Sequence, residues 1–255
     1  MPPTDDNSYV EFSAMSLGDH LDELRKRLIL SVLGAMVGMV LGFCYTSSII
    51  AWLRAPYEKV MRAANLEPHL QTITPTDGFT TYMKIAMWSG FVLASPWIFY
   101  QLWKFVAAGL YPKEKRYVYI AAPATAILFI LGAMLSVMVV TPLTLQFLVI
   151  FNRDWLGIVS AFTFQSYMSF MVSMMLAFGL SFETPIIMFF LNKFGMLPLA
   201  LVANSRRYVI LAVVIIASVL TPGSDIVSLS ALAIPLYLLF ELGVLLIWLF
   251  GKKDV

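Results

Sequence analysis

The chain has 255 residues, of which 60% are hydrophobic and only 13% are Asp, Glu, Lys or Arg. Soluble domains hold roughly 45–50% apolar residues and about 25% charged ones, so this chain carries more apolar surface than a soluble core can hide; neither a soluble globular enzyme nor a disordered chain fits. The net charge of +2 is too small for a nucleic-acid binder, and one cysteine and two histidines cannot make an internal disulfide or an imidazole metal site.

An all-α polytopic membrane protein remains. A spanning helix needs roughly 20 apolar residues to cross a hydrocarbon core of about 30 Å. Charge-free stretches cover residues 28–53, 85–103, 117–152 and 155–182, the last running on past Glu183. The first is longer than the core of a cleavable signal and reads as a true span. A final stretch from 208 to 250 is broken only by Asp225 and Glu241, and Thr221-Pro222-Gly223-Ser224-Asp225 within it reads as a tight turn. Splitting it there predicts six spans, at about 28–50, 82–104, 117–141, 161–191, 208–220 and 226–250, in one integral membrane domain without a soluble domain. The fifth and sixth come out short. Residues 208–220 make about 20 Å of helix, less than the bilayer core, so the membrane must thin there or the helix ends must be sheltered.

Twelve of the 17 Lys and Arg residues fall on the side that carries both termini, which predicts cytoplasmic termini. Extracytoplasmic loops are then expected at about 54–81, 142–160 and 221–225. Pro96, Pro123, Pro185 and Pro235 fall inside spans and should bend them into a curved wall. Gly34, Gly38 and Gly42 form a doubled G-x-x-x-G, suited to close helix packing within the chain or to self-association.

Glu183 is the candidate polar residue at membrane depth, where a carboxyl is costly. It is open to satisfaction by Gln101, by hydroxyls or by the carbonyl that Pro185 frees, or to contact with a partner helix or a proton. Glu241 lies toward the cytoplasmic end of the last span, and Asp225 suits an N-cap of that span. In the N-terminal segment, Ser16 with Asp19 resembles a capping box. Leu17, Leu21, Leu24 and Leu28 share a face, which predicts an amphipathic helix lying at the interface before the first span. Asp22 with Lys26, and Glu23 with Arg27, have i,i+4 spacing; they can pair with each other or present carboxylates to a cationic ligand. Glu114 stands among the cations Lys113, Lys115 and Arg116, again open to pairing. No catalytic or metal constellation is evident: there is no His-Glu-x-x-His, no Walker A loop and no paired membrane Asp.

Seven motifs together carry a family resemblance. They are His20-Leu21-Asp22-Glu23-Leu24-Arg25-Lys26-Arg27; Pro96 followed by Tyr100-Gln101-Leu102-Trp103-Lys104-Phe105; Gly109-Leu110-Tyr111 with Glu114; Ala177-Phe178-Gly179-Leu180-Ser181-Phe182-Glu183-Thr184-Pro185; Arg206-Arg207-Tyr208-Val209; Leu220-Thr221-Pro222 with Asp225; and Ala233-Ile234-Pro235-Leu236-Tyr237 followed by Phe240-Glu241. The chain resembles the TatC family, the six-span core of the twin-arginine protein translocase, over residues 15–250.

The resemblance implies a receptor for the twin-arginine signal peptides of folded cargo. It acts in the bacterial inner membrane with single-span TatA/TatB-type subunits, driven by the proton-motive force and without nucleotide or cofactor. It assigns signal-peptide binding to Glu23 and Glu114, with Leu24, Arg25, Phe105, Leu110 and Tyr111 around them. Guanidinium grips a carboxylate through two parallel hydrogen bonds and lysine cannot, so two such carboxylates can tell Arg-Arg from Lys-Lys. Glu183 and Gln101 become intramembrane polar features, and Asp225, Leu229 and Glu241 the edge that meets partner helices. At two positions the chain departs from the family pattern: Leu229 stands where glutamine is common, and Ala108 where proline is common. A proton-coupled solute transporter using Glu183, or a lipid-modifying enzyme, are the readings that compete with a non-enzymatic translocase subunit.

Overall fold

The computed structural model describes residues 17–110, 115–158, 160–220 and 226–251. Helix α1 runs unbroken from Leu17 to Ala63. Its 47 residues make about 70 Å of helix, more than twice a hydrocarbon core, so it reaches well beyond what a span alone requires. The amphipathic N-terminal segment is therefore the first turns of α1 and not a separate helix lying at the interface. The leucine face and the apolar run share one helical period, and nothing between them breaks it. Ser16, of the expected capping box, lies outside the described residues.

The other end of α1 is longer than expected as well. The loop predicted over 54–81 is helical to Ala63, despite Pro56, and helix α2 already begins at Asp77. Asn65, at φ 56°, closes α1: the Leu66 amide donates to the Met61 carbonyl and the Asn65 amide to the Arg62 carbonyl. This is the left-handed cap that asparagine tolerates.

Helix α2 spans Asp77–Ala108 and packs antiparallel along α1. The α1 glycines make that contact. A Cβ on Gly38 would lie 2.7 Å from Ala94 Cβ, and one on Gly42 would lie 2.7 Å from the Gly90 amide nitrogen. A Cβ on Gly34 would strike the Trp97 ring, whose Nε1 donates to the Leu30 carbonyl at 2.9 Å. The doubled G-x-x-x-G is thus spent on packing within the chain.

Helix α3 (Lys115–Leu135) passes through a π-helical turn (Ser136–Val140) into α4 (Thr141–Asp154). The cause is Pro142, which the span prediction left out. It has no N–H for the preceding turn, and its ring would strike the carbonyl of Met138; widening that turn relieves the clash. The region expected as a loop from 142 is therefore helical to Asp154. Helices α5 (Phe164–Phe182) and α6 (Thr184–Lys193) are one span broken at Glu183, where Pro185 cannot continue the hydrogen-bond ladder. Pro185 thus opens a new helix, while Pro96, Pro123 and Pro235 lie inside theirs. Helix α7 (Leu199–Asn204) is short, and α8 (Arg206–Leu220) and α9 (Ile226–Phe250) follow.

Five helical segments among the described residues are long and apolar enough to cross a membrane. Of the six expected spans, the one matching α8, at 15 residues, falls short. Helix α9 has 25 residues, about 37 Å, so it is not short. Strands β1 (Leu70–Gln71) and β2 (Phe162–Thr163) pair in parallel and tie the loop after α1 to the loop before α5. Beneath them, Leu53, Tyr57, Ile85, Val149, Met168 and Met171 form a buried cluster. Inside it, the Tyr167 hydroxyl donates to the Leu53 carbonyl at 2.7 Å and the Tyr57 hydroxyl to the His69 carbonyl at 3.0 Å. Elsewhere large apolar side chains such as Leu28, Val40, Leu131, Leu211 and Leu238 face outward, as a lipid solvent requires.

Candidate functional site

At the end of the bundle opposite the β pair, the first turns of α1 meet the last turns of α2. Glu23 and Arg27 lie one helical turn apart and do pair: Arg27 Nε donates to Glu23 Oε1 at 2.6 Å, with the Arg27 Nη2 at 2.5 Å from the same oxygen. Arg27 Nη1 reaches across to α2 and donates to Gln101 Oε1 at 3.0 Å. Gln101 is only 2% exposed, so this bond joins the surface pair to the interior. All the contacts from Arg27 to Glu23 fall on Oε1, and no described residue donates to Oε2. One carboxylate oxygen is therefore held in place while the other is open to a new donor.

One turn earlier, the His20 ring stacks on Phe105 at 4.6 Å between centroids. Gly109 lies under the same imidazole, where a Cβ would sit 3.4 Å from His20 Cε1. The structure thus gathers Glu23, Gln101, Phe105 and, just past Gly109, the half-buried Leu110 at one helix junction. Leu24 and Arg25 are exposed on α1 beside it. Tyr111 and Glu114 lie outside the described residues. His20, Arg27 and Gly109 are the parts the sequence reading did not single out as a site. Their signal was present in the same motifs: His20 precedes Glu23 by three residues and Arg27 follows it by four, so all three share a face.

Glu183 sits at the α5–α6 break and is 4% exposed. Its Oε1 is buried without a hydrogen-bond partner among the described residues. Gln101 does not supply one: its carbonyl oxygen accepts from Arg27, and its amide makes no hydrogen bond to Glu183 Oε1. A buried carboxyl oxygen in this state has an unmet hydrogen-bonding capacity among the described residues.

Glu241 is partnered. Arg206 Nε lies 3.0 Å from Oε1 and Arg206 Nη2 donates to Oε2 at 3.0 Å, a two-pronged grip, while the Tyr237 hydroxyl donates to Oε1 at 2.6 Å. The group fastens the start of α8 to the middle of α9. Leu229 packs inward against the cluster of Val140, Phe178, Ala217 and Leu232. Asp225 lies outside the described residues. Among the described residues no three His, Cys, Asp or Glu side chains converge as a metal site would require.

These features define a class: an integral membrane protein of bent helices, with a structured polar junction at one end and a buried carboxyl partway along. The profile of the family described as Sec-independent protein translocase protein (TatC) matches residues 19–235. A TatC from Carboxydothermus hydrogenoformans is 33% identical over 245 residues, covering 96% of this chain and 98% of the relative. One from Aquifex aeolicus is 34% identical over 232 residues, covering 91% and 94%. A crystal structure described as the twin arginine translocase receptor TatC superposes with a TM-score of 0.80 at 34% identity, covering 90% of this chain and 98% of that one. The chain belongs to the TatC family.

Proposed function

We propose that this protein is the signal-peptide receptor and core subunit of a twin-arginine translocase, and that the α1–α2 junction receives the paired arginines. The observation that supports this most directly is the half-engaged Glu23 carboxylate, fixed by Arg27 and through it by Gln101. A carboxylate already oriented costs less to bind, because its rotamer freedom has been given up in folding. An incoming guanidinium takes Oε2 directly, or displaces Arg27 and exchanges one guanidinium for another. Glu114, close in sequence to the end of α2, supplies the second carboxylate, and Phe105, Leu110 and Tyr111 supply apolar contact for the residues flanking the arginines.

Transport follows from partners and not from covalent chemistry, so no enzymatic step is assigned. Single-span TatA/TatB-type subunits place polar groups against Glu183 and pack along α8 and α9, near Leu229 and Asp225. The site of action is the bacterial inner membrane with both termini cytoplasmic, and the short α8 serves as a sixth span that thins the bilayer where cargo passes. The competing solute-transporter reading rested on Glu183 alone, and membership of a translocase family weighs against it.

The test is binding of a labelled twin-arginine peptide to the purified protein, with Arg-Arg compared to Lys-Lys. Glu23→Ala and Glu114→Ala are each expected to weaken Arg-Arg binding about tenfold to a hundredfold, the worth of a charge-assisted hydrogen bond. Equal affinity for the two peptides, unmoved by both substitutions, would remove the carboxylates from the site.

A further inference from the structure

Between α2 and α3, at the end that carries the α1–α2 junction, lies a cleft of about 440 Å³. Two prolines line it. Pro96 and Pro123 both sit inside their helices and face the cleft, where each lacks the amide that would continue the hydrogen-bond ladder and so favours a bend. Ala122 and Ala126 floor it and leave the space unfilled. On α3 the lining runs from Val118 to Ile130, about 18 Å of helix, which is close to half of a hydrocarbon core and so one leaflet.

The cleft is apolar along this length and cationic at its mouth. Lys104 is the one charged residue lining it, and its Nζ is held 4.6 Å above the centre of the Tyr100 ring. At the same end, Lys115 and Arg116 in the first turn of α3 add two further cations. Basic pockets between membrane helices at the headgroup level suit anionic lipid headgroups. A cationic peptide would meet Lys104 with like charge, and a zwitterionic lipid would set its own ammonium beside it.

We propose that this cleft is a binding site for one anionic phospholipid, its acyl chain between α2 and α3 and its phosphate on Lys104. The site is independent of the peptide-binding reading, because it uses none of the carboxylates. It places a lipid directly against α2, the helix that supplies Gln101 and Phe105.

The experiment is native mass spectrometry of the delipidated, detergent-purified protein, titrated with phosphatidylglycerol or with phosphatidylcholine of identical chains. The wild type is expected to retain phosphatidylglycerol preferentially. Lys104→Gln is expected to weaken that binding about fivefold and Lys104→Arg to keep it, while Lys26→Gln, which removes the same charge from the same end, leaves it unchanged. Ile127→Trp, at an exposed position on the cleft wall, is expected to exclude the chain and cut retention of both lipids; it also stands in for Lys104→Gln if that variant does not fold. Equal binding of the two lipids by the wild type would overturn the proposal. So would equal losses in Lys104→Gln and Lys26→Gln, or displacement of the lipid by a twin-arginine peptide, which would give the cleft to the peptide's apolar segment.

Discussion

Two carboxyls of this protein occupy opposite situations, and each predicts a different response to substitution. Glu183 is buried with Oε1 unpartnered, and an unsatisfied buried polar group costs roughly 1–3 kcal/mol. Glu183→Met is therefore expected to raise the unfolding temperature in detergent while reducing export of a folded reporter. A lower unfolding temperature would mean that the carboxyl has a structural partner after all. Gln101 is the reverse case, a buried acceptor in use. Gln101→Leu is expected to destabilise by about 1.5–3 kcal/mol, the usual worth of a hydrogen bond to a charged group, and to loosen Arg27. Thermal melts of Gln101→Leu and Arg27→Gln, alone and together, would show whether the two act as one unit. The Arg206–Glu241 pair is partly exposed on both sides, so a double-mutant cycle should return no more than about 1 kcal/mol.

At the scale of elements, the α1–α2 seam is set by the absence of side chains. Gly38 and Gly42 lie against Gly90 and Ala94 with no room for even one added carbon. Gly38→Val or Gly42→Val should drive the helices apart at a cost of about 1–3 kcal/mol or more, read as lost expression and a lowered melting temperature. Gly78, in the first turn of α2, has nothing within 4 Å of an added Cβ. There Gly78→Ala should stabilise by up to about 1 kcal/mol, through helix propensity alone. A similar loss in both places would indicate a general intolerance of these helices and not a packing seam.

For the whole molecule, the alternation of helices fixes which ends lie together, and the charge bias then predicts which face is cytoplasmic. With Cys44 replaced by Ala, a cysteine at position 69 should react with an impermeant maleimide in intact cells, and one at position 26 only after permeabilisation. The opposite pattern would invert the topology. The 15 residues of α8 make a second prediction at this scale. Inserting four leucines into α8 should relieve the local mismatch and lower export without unfolding the protein, measured by reporter transport against a melting curve. Unchanged transport would show that the short helix has no part in the mechanism.

The turn expected at 221–225 lies outside the described residues; what the sequence by itself determined is the class of protein, the approximate position of each long apolar segment and the polar residues Glu23 and Gln101 that the α1–α2 junction brings together. These follow from local rules: the length of an apolar run, the missing amide of proline and the i,i+4 spacing that joins Glu23 to Arg27. Only the tertiary structure decided which neighbour each side chain meets. It turned the glycine stripe of α1 onto α2, set the Gln101 carbonyl to accept from Arg27, 74 residues distant, and packed the half-buried Leu229 against a core cluster. It also ran α1 straight through two expected boundaries and widened α3 ahead of Pro142. The physical reason lies in the solvent. In water, the face of a helix that packs is apolar and the other is polar, so periodicity reveals the contact. In lipid both faces are apolar, and what separates the packed face from the exposed one is side-chain size, helix bend and rotation about the axis, which become visible only once the helices are assembled.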